Sequence, residues 1–283
     1  MSILTTEQFV ELMIRWGNFK ARCKSDFPKS EEAKRNEELR DKHKGKRCFI
    51  IGNGPSIKTQ DLRPLADEIV FVTNGFYRYE KYYNVKPDYY CIVDALMFSE
   101  EGSALLEGID RIKDYDHKPA FILPYGTKEL IHDRFKWNEW TSVYYLDGGM
   151  SFTDGYDKKW DITKVVASPQ NVVQVAMLLA TYMGFEEIYL LGIEQTDLIA
   201  MFQKQLGETV SYYAYEKNRN DQLVYENVQS RITLEENLRG YTRIFHLYKE
   251  IYNYCKKQGI SVYNCTPATL VDSIPQKRYE DLF

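Results

Sequence analysis

The chain has 283 residues, is 44% hydrophobic and carries a formal net charge of −4. This length suits one large α/β domain or two small ones, and the acidic balance gives no reason to expect a nucleic-acid partner. No stretch approaches the roughly 20 apolar residues of a membrane-spanning helix. The five cysteines form no CxxC pair and we recognise no signal peptide, so we expect a reduced, cytoplasmic protein.

Residues 1–46 are predicted to form a helical N-terminal extension. Phe9, Met13, Trp16 and Phe19 recur at helical spacing and predict an amphipathic helix, which is followed by a charged segment that we expect to be a solvated helix. The favoured interpretation packs the first helix on the domain or on a second subunit of a homo-oligomer. The alternative is an interfacial helix at the inner face of the cell membrane, which the acidic residues mixed among the basic ones disfavour.

From Arg47 onward, short apolar runs alternate with helical patterns. The predicted strands are Cys48–Ile51, Ile69–Val72, Tyr89–Val93, Ala120–Leu123, Ser142–Leu146, Glu187–Leu191 and Ser261–Asn264. Continuous apolar runs are typical of strands covered on both faces, and strands separated by helices indicate a mostly parallel sheet. We therefore predict one Rossmann-like α/β domain over residues 47–283, with helices flanking the sheet.

Two long helices and a lid are predicted in the second half of this domain. The first helix, Pro169–Met183, has Ser168 as its N-cap and is apolar nearly all round, so it should be deeply buried. The second helix, Leu234–Lys257, begins at Thr233 with a capping box. Between them, residues 200–231 are polar, rich in tyrosine and weakly periodic. A loop of this length in a compact domain is usually functional or disordered, and we interpret it as a lid over a pocket.

Two neighbouring strands end in turns that contain glycine and asparagine. Ligands of an open parallel sheet bind beyond the carboxyl ends of its strands, and glycines let the backbone approach a ligand closely. Free backbone N–H groups in such a turn, together with a serine hydroxyl, can hold a phosphate. The candidate nucleotide-binding residues are Gly52, Asn53, Gly54, Pro55 and Ser56 in the first turn and Asn74, Gly75 and Phe76 in the second. An ordinary strand-to-helix turn is the alternative for the first motif alone, since it matches neither a Walker A loop nor GxGxxG.

Other polar residues follow strands, or open a helix, at the same predicted edge. A helix N-terminus favours anions, and a carboxylate at this edge can hold a sugar hydroxyl or act as a base. These candidates are Ser168, Gln170 and Asn171 at the start of the buried helix, Asp94 after the third strand, and Glu194, Thr196 and Asp197 after the sixth. For the acidic residues, a solvated loop is the alternative. No Asp-x-Asp motif lies at this edge, so neither a metal site nor a cofactor is predicted.

Four segments resemble the bacterial lipo-oligosaccharide sialyltransferases that use CMP-sialic acid. They are IIGNGPSIK at Ile50–Lys58, NGFYRYEKYY at Asn74–Tyr83, GFEEIYLLGIE at Gly184–Glu194 and ISVYNCTPATLVDSIP at Ile260–Pro275. The resemblance is discontinuous over roughly residues 47–275. The Gly-rich turn and the Tyr-Leu-Gly strand are also similar to those of archaeal-type hydroxymethylpterin pyrophosphokinases and of flagellin-modifying glycosyltransferases.

The resemblance implies that Asn53 and Asn74 bind the nucleotide and its phosphate, and that Asp94 and Ser168 contact the donor. In the sialyltransferases, tyrosines stabilise the departing phosphate and a lid histidine acts as the base. The lid of this chain has no histidine. Its matching tyrosines are Tyr212, Tyr213 and Tyr215, and Glu216 is the nearest candidate base, with Glu194 and Asp197 as alternatives.

The sequence therefore predicts a metal-independent glycosyltransferase of bacterial lipo-oligosaccharide, lipopolysaccharide or capsule synthesis. Its partners would be a nucleotide-sugar donor, with CMP-linked sialic acid or a related acidic sugar favoured, and a glycan or glycolipid acceptor. Tyrosine hydroxyls and the helix N-terminus would stabilise the leaving phosphate electrostatically. The alternatives are an ATP-dependent pterin-type pyrophosphokinase, which needs Mg²⁺, and a non-catalytic nucleotide-binding protein.

Overall fold

The computed structural model describes residues 5–79, 85–99, 103–156, 158–207, 213–214 and 232–283. Within these residues, a parallel sheet of seven strands has the order β5-β4-β3-β2-β1-β8-β9. Its strands are β1 Arg47–Ile51, β2 Ile69–Thr73, β3 Tyr89–Cys91, β4 Ala120–Pro124, β5 Val143–Leu146, β8 Glu187–Leu191 and β9 Ser261–Asn264. Two further strands, β6 Met150–Ser151 and β7 Ala167–Ser168, form a separate parallel pair.

All seven predicted strands are present, and the predicted fold class of a mostly parallel, Rossmann-like sheet is confirmed. The bounds of β8 and β9 are those predicted from the sequence, whereas β3 ends at Cys91 instead of Val93 because the apolar run continues into the turn that follows the strand. The sequence does not predict β6 and β7, since two-residue strands carry no periodic signal.

Helices flank the sheet and precede it. They are α1 Thr6–Lys24, α2 Glu31–Arg35, α3 Ser103–Asp110, α4 Lys128–Leu130, α5 Val172–Tyr182, α6 Asp197–Gln205 and α7 Leu234–Lys257. Short 3₁₀ turns follow β1 at Pro55–Lys58 and β2 at Asn74–Arg78. In the described part of the chain, no helix is both long and apolar enough to cross a bilayer.

The buried helix α5 begins three residues later than the predicted Pro169, and its N-cap is Asn171. The Asn171 side chain accepts a hydrogen bond from the N–H of Gln174, and the Gln174 side chain accepts one from the N–H of Asn171. This reciprocal capping box satisfies two free N–H groups at once, which is why it prevails over an N-cap at Ser168. Ser168 instead belongs to strand β7. By contrast, α7 has the predicted bounds and the predicted capping box at Thr233.

Two apolar cores cover the two faces of the sheet. Successive residues of β1 alternate between them, so Ile50 packs with α5 and α7 on one face while Phe49 and Ile51 pack on the other. Every α5 residue except Thr181 is buried, as the all-round apolar pattern predicts. The two covered faces explain why these strands read as continuous apolar runs.

The N-terminal extension is integrated with the domain. The predicted solvated helix after residue 24 is wrong, because Phe27, Ala33 and Leu39 are almost completely buried along short helical turns. Asn36 is fully buried as well, and its amide nitrogen donates to the carbonyl oxygens of Tyr145 (2.8 Å) and Ile162 (2.7 Å). These bonds offset the cost of burying a polar side chain, and they tie the extension to the strand at the sheet edge.

His43 gives the fold a pH dependence that can be measured. Its ring stacks on Phe185, and its Nε2 lies 2.7 Å from the Tyr89 hydroxyl. Burial, with a smaller contribution from the positive charges of Lys42 and Lys46, lowers the pKa of His43 from 6.5 to about 4. The unfolded chain therefore takes up this proton at a higher pH than the folded chain. The resulting stability is complete above pH 6.5 and is lost progressively as the pH falls toward 4.

We predict that His43→Gln makes the free energy of unfolding less sensitive to acid. In urea denaturation at about pH 7 and about pH 4.5, the unmodified protein should lose more stability between the two conditions than the variant. All other titrating groups are shared by the two proteins, so the difference isolates this ring. Equal losses would show that His43 carries no depressed pKa.

Candidate functional site

A cleft of about 510 Å³ opens at the carboxyl ends of β2, β1 and β8. Strand β1 is the point at which the strand order reverses, because β2 to β5 extend from one side of it and β8 and β9 from the other. Crevices at such a reversal are where open α/β sheets bind their ligands. The lining includes the turns after these strands, the start of α5 and one face of α7.

The Gly-rich turn after β1 is hydrogen-bonded to the end of β8 and to the turn that follows it. The N–H groups of Gly52 and Gly54 donate to the carbonyl oxygens of Leu191 (2.8 Å) and Gly192 (3.0 Å). The N–H of Ser56 donates to Oε1 of Glu194 at 2.7 Å. The prediction that N–H groups of this turn are free to hold a phosphate is therefore wrong for these three residues, because the neighbouring strand connection already occupies them.

Gly52 and Gly54 allow the turn after β1 to lie this close to the turn after β8. A Cβ atom added at Gly54 would lie 1.4 Å from Oε2 of Glu194 and 2.7 Å from the carbonyl oxygen of Gly192. A Cβ atom at Gly52 would lie 2.6 Å from the same carbonyl oxygen. No side chain larger than hydrogen fits at either position without moving the turn after β8.

Asn53 and Asn74 both line the cleft. The amide nitrogen of Asn53 donates to the carbonyl oxygen of Thr73 at 3.0 Å, which joins the two turns. Asn74 adopts a left-handed conformation (φ 46°), which asparagine tolerates better than most residues, and its carbonyl oxygen is held by the Tyr90 hydroxyl at 2.5 Å. The side-chain oxygens Oδ1 of both asparagines are buried and have no hydrogen-bond partner among the described residues.

Glu194 supplies a third unpaired acceptor. The residue is only 6% exposed, and while Oε1 is bound by Ser56, Oε2 is buried without a partner in the described part of the chain. The turn that carries it is fixed by a bond from the N–H of Ile193 to the Thr266 hydroxyl (2.9 Å). A buried acceptor left unpaired costs about 1–3 kcal/mol, so the cleft has an energetic reason to receive hydrogen-bond donors from a ligand.

Two residues from the middle of the predicted lid, Tyr213 and Ala214, are described, and Tyr213 lines the cleft. The N–H of Ala214 donates to the carbonyl oxygen of Asn53 at 2.8 Å, and the Tyr213 hydroxyl donates to Asp197 at 3.4 Å. The predicted lid therefore touches the Gly-rich turn and the start of α6. Tyr215, Glu216 and Tyr212 lie outside the described residues.

Helix α7 contributes a wall of the cleft that sequence reasoning missed. Its lining residues are Glu236, Asn237, Gly240, Tyr241, Ile244 and Tyr248. Leu234, Leu238 and Tyr241 begin an apolar stripe that the sequence assigns to one face of this helix. In the structure Leu234 and Leu238 are exposed, whereas the partly buried Asn237, Gly240 and Tyr241 line the cleft. Tyr248 is fully buried and accepts a hydrogen bond from the Asn171 amide at 3.2 Å. Burial raises the pKa of Tyr248, so its hydroxyl keeps its proton.

Comparison with known proteins places the chain in a family. A family model described as 6-hydroxymethylpterin diphosphokinase MptE-like matches residues 25–197. The chain belongs to this MptE-like family. The match begins directly after α1 and includes the turns after β1, β2 and β8. No curated protein matches the chain.

Two solved structures are similar to this MptE-like protein. A variant of the Campylobacter jejuni sialyltransferase CST-II, in complex with CMP, has 19% identity and a TM-score of 0.50, covering 82% of this chain and 86% of its own. The monofunctional alpha-2,3-sialyltransferase Cst-I of the same organism has 15% identity and a TM-score of 0.49, and the match covers 82% of this chain and 80% of the Cst-I chain. The CST-II similarity shows a shared fold, and the resemblance predicted from the sequence is confirmed at that level.

The structure brings some of the predicted site residues of the MptE-like protein together in the cleft. These are Gly52, Asn53, Gly54, Asn74, Asn171, Glu194, Thr196, Asp197 and Tyr213. Ser56 lies behind Glu194, and its hydroxyl is also buried without a partner among the described residues. The Gly-rich turn and the β8 turn thus form the floor that the spacing of strand and turn residues predicts.

Other predicted residues lie elsewhere. Ser168 lines a second cavity of about 300 Å³ beyond β4 and β5, together with Val93, which precedes the exposed Asp94. The ring of Phe76 is completely buried and packs on Tyr79, so this side chain belongs to the core. Pro55, Gly75 and Gln170 are likewise absent from the described lining of the cleft, and Gln170 is exposed.

The charge of the cleft is negative. Glu194, Asp197 and Glu236 line it, and the described lining contains no lysine, arginine or histidine. Within the described ranges, no group of three or more histidine, cysteine or acidic side chains could hold a metal ion. The described lining therefore presents mainly acceptors, with tyrosine hydroxyls among its donors.

Gly54→Ala tests the close approach on which the floor depends. We predict that it lowers the free energy of unfolding by about 1–3 kcal/mol, because the added Cβ atom displaces Glu194 and the backbone of Gly192. Gly126→Ala is the matched control, since a Cβ atom there meets nothing within 4 Å, and it should change stability by less than about 0.5 kcal/mol. Equal stabilities in urea denaturation would contradict the packing described here.

Proposed function

We propose that this MptE-like protein is a glycosyltransferase that moves a sugar from a nucleotide-sugar donor to a hydroxyl of a glycan acceptor, in the synthesis of bacterial surface polysaccharide or lipo-oligosaccharide. The observation that carries the proposal is the set of three unpaired oxygens in one cleft, on Asn53, Asn74 and Glu194. Sugars and ribose present many O–H donors, which these acceptors would bind. The position of the cleft at the strand-order reversal supports a nucleotide ligand.

Glu194 is the base in this proposal. Its Oε1 is fixed by the Ser56 N–H, and the free Oε2 would accept the proton of the acceptor hydroxyl. The acceptor oxygen then forms a bond to the anomeric carbon while the bond from that carbon to the donor phosphate breaks, and the phosphate leaves with the electron pair. Tyr213 and Tyr241 both line the cleft. Tyr241, and Tyr213 once its hydroxyl leaves Asp197, would donate hydrogen bonds to the departing phosphate.

The fold neighbour CST-II was solved with CMP, and we propose CMP as the nucleotide here, linked to sialic acid or a related acidic sugar. No metal takes part in this version of the reaction. Since the described lining has three carboxylates and no cationic side chain, the negative charge of such a donor would have to be met by hydroxyl and amide groups alone. Because an acidic lining does not favour an acidic donor, the identity of the donor sugar should be tested first.

The same acidic lining favours a second candidate, the ATP-dependent pterin-type diphosphokinase suggested by the family description. Mg²⁺ is commonly held by one or two carboxylates together with substrate phosphates. Glu194, Asp197 and the amide oxygen of Asn53 form an all-oxygen donor set that suits such an ion. A bound Mg²⁺ would neutralise the triphosphate, and Glu194 or Asp197 would then orient it.

Nucleotide binding separates the two candidates. We predict that CMP raises the melting temperature of the protein without Mg²⁺, more than UDP, GDP or ATP does. Asn53→Ala/Asn74→Ala should weaken CMP binding at least about tenfold, because two ligand-binding amides are lost. Asn138→Ala changes an exposed asparagine before β5 and should bind CMP normally. Stabilisation by ATP only with Mg²⁺ would support the diphosphokinase, and stabilisation by no nucleotide would overturn both candidates.

Glu194→Gln tests the assigned base. Glutamine can keep the bond from the Ser56 N–H but cannot accept a proton, so we predict that kcat falls by about 10²–10⁴-fold while KM for the donor changes little. Transfer of sugar from CMP-sialic acid to an oligosaccharide is the assay. If the variant turns over at the normal rate, Glu194 is not the base, and Asp197 and Glu216 become the candidates.

A further inference from the structure

Helix α1 exposes the face that an amphipathic helix normally buries. Six large apolar side chains of α1 are 49–54% exposed, and five of them share one side of the helical wheel: Phe9, Leu12, Met13, Trp16 and Phe19. Trp16 and Phe19 stack with their ring centres 5.7 Å apart, and Nζ of Lys20 lies 5.2 Å from the centre of the Trp16 ring. We call these five side chains the apolar face of α1. Clustered apolar exposure of this kind marks an interaction surface.

The opposite side of α1 is what holds it to the domain. The Asn18 amide nitrogen donates to the carbonyl oxygen of Ser151 at 3.1 Å, and the Ser151 N–H donates to Oδ1 of Asn18 at 2.8 Å. Just beyond the helix, the Ser25 hydroxyl donates to Asp147 at 2.5 Å. The helix is thus attached by polar bonds along strand β6 and the turn after β5, which leaves its apolar face outward.

The charges of α1 suit an anionic surface. Four basic and two acidic residues give the helix a net charge of +2, and because the whole chain carries −4, the rest of it carries −6. On the helical wheel, Lys20 lies within the apolar face and Lys24 at its border, whereas Glu11 falls on the far side and is paired with Arg15 at 2.7 Å. Aromatic and leucine side chains with flanking lysines are typical of helices that lie in a membrane interface.

We propose that the apolar face of α1 docks the protein on the surface of a bilayer rich in anionic phospholipid. The apolar side chains enter the boundary between headgroups and acyl chains, and Lys20 and Lys24 contact the headgroup phosphates. A second copy of the chain fits this face less well, because pairing two such faces would bring four lysines together.

The docked helix lies at the ligand-binding edge of the sheet. Gly149 follows β5 and lines both the groove beside α1 and the 300 Å³ cavity that contains Ser168. Bilayer docking would therefore hold this edge toward the membrane, where a lipid-linked glycan acceptor could reach it. That consequence for the acceptor rests on the proposed function, whereas bilayer docking itself does not.

Co-sedimentation with vesicles tests the apolar face. The full chain should bind vesicles of equimolar phosphatidylcholine and phosphatidylglycerol at least about tenfold more tightly than phosphatidylcholine alone, and less tightly at high salt. Trp16→Ala/Phe19→Ala should abolish this binding. Leu234→Ala/Leu238→Ala, which removes two exposed apolar side chains from α7, should bind as the unmodified protein does. The melting temperatures of both variants confirm that they fold.

A charge-matched pair completes the test. Lys20→Glu/Lys24→Glu should weaken binding to the anionic vesicles at least about tenfold, whereas Lys256→Glu/Lys257→Glu makes the same change in net charge at the end of α7 and should have little effect. Absence of vesicle binding, or equal effects of the two pairs, would overturn the proposal. The proposal would also be overturned if sedimentation velocity showed a dimer and if Trp16→Ala/Phe19→Ala converted that dimer to a monomer. In that case the apolar face would bind a second copy of the chain. Because binding is measured without substrate, failure of the glycosyltransferase proposal would leave this result unaffected.

Discussion

The bond between the Ser56 N–H and Glu194 is the interaction on which the site depends. It joins two turns that are far apart in the chain, and it requires glycine at position 54 because the carboxylate occupies the space of a Cβ atom. With the bonds from Gly52 and Gly54 to the β8 connection, it forms a rigid floor at the strand-order reversal. The same bond uses one carboxylate oxygen and leaves the other buried without a partner among the described residues, so the packing that builds the floor also leaves an acceptor in the cleft.

This arrangement changes the role of the Gly-rich turn. In many nucleotide-binding proteins the N–H groups of such a turn hold phosphate. Here the N–H groups of Gly52, Gly54 and Ser56 bind protein oxygens, while the side-chain oxygens of Asn53 and Asn74, two residues that line the cleft, have no partner among the described residues. The described cleft is thus suited to hydroxyl and amine donors or to a cation that brings phosphate with it, which is the physical basis of the two candidate functions.

The sequence predicts the sheet well because its strands are buried on both faces. A strand buried on both faces requires a continuous apolar run, such as Cys48–Ile51. It also predicts that Asn53 and Asn74 share a pocket, since the carboxyl ends of parallel strands meet at one edge. It does not predict the bond from Ser56 to Glu194, which depends on the pairing of β1 with β8. It does not predict the wall formed by α7 either, and it leaves open whether the apolar face of α1 is covered by protein or turned outward, because periodicity identifies an apolar stripe without saying what covers it.

A crystal structure of the protein with the nucleotide that stabilises it most would test the central claim directly. The account predicts a nucleotide in the cleft over β2, β1 and β8, with ligand donors about 2.7–3.2 Å from Oδ1 of Asn53, Oδ1 of Asn74 and Oε2 of Glu194. A nucleotide bound instead in the cavity beside Ser168, with those three oxygens still unpaired, would contradict it.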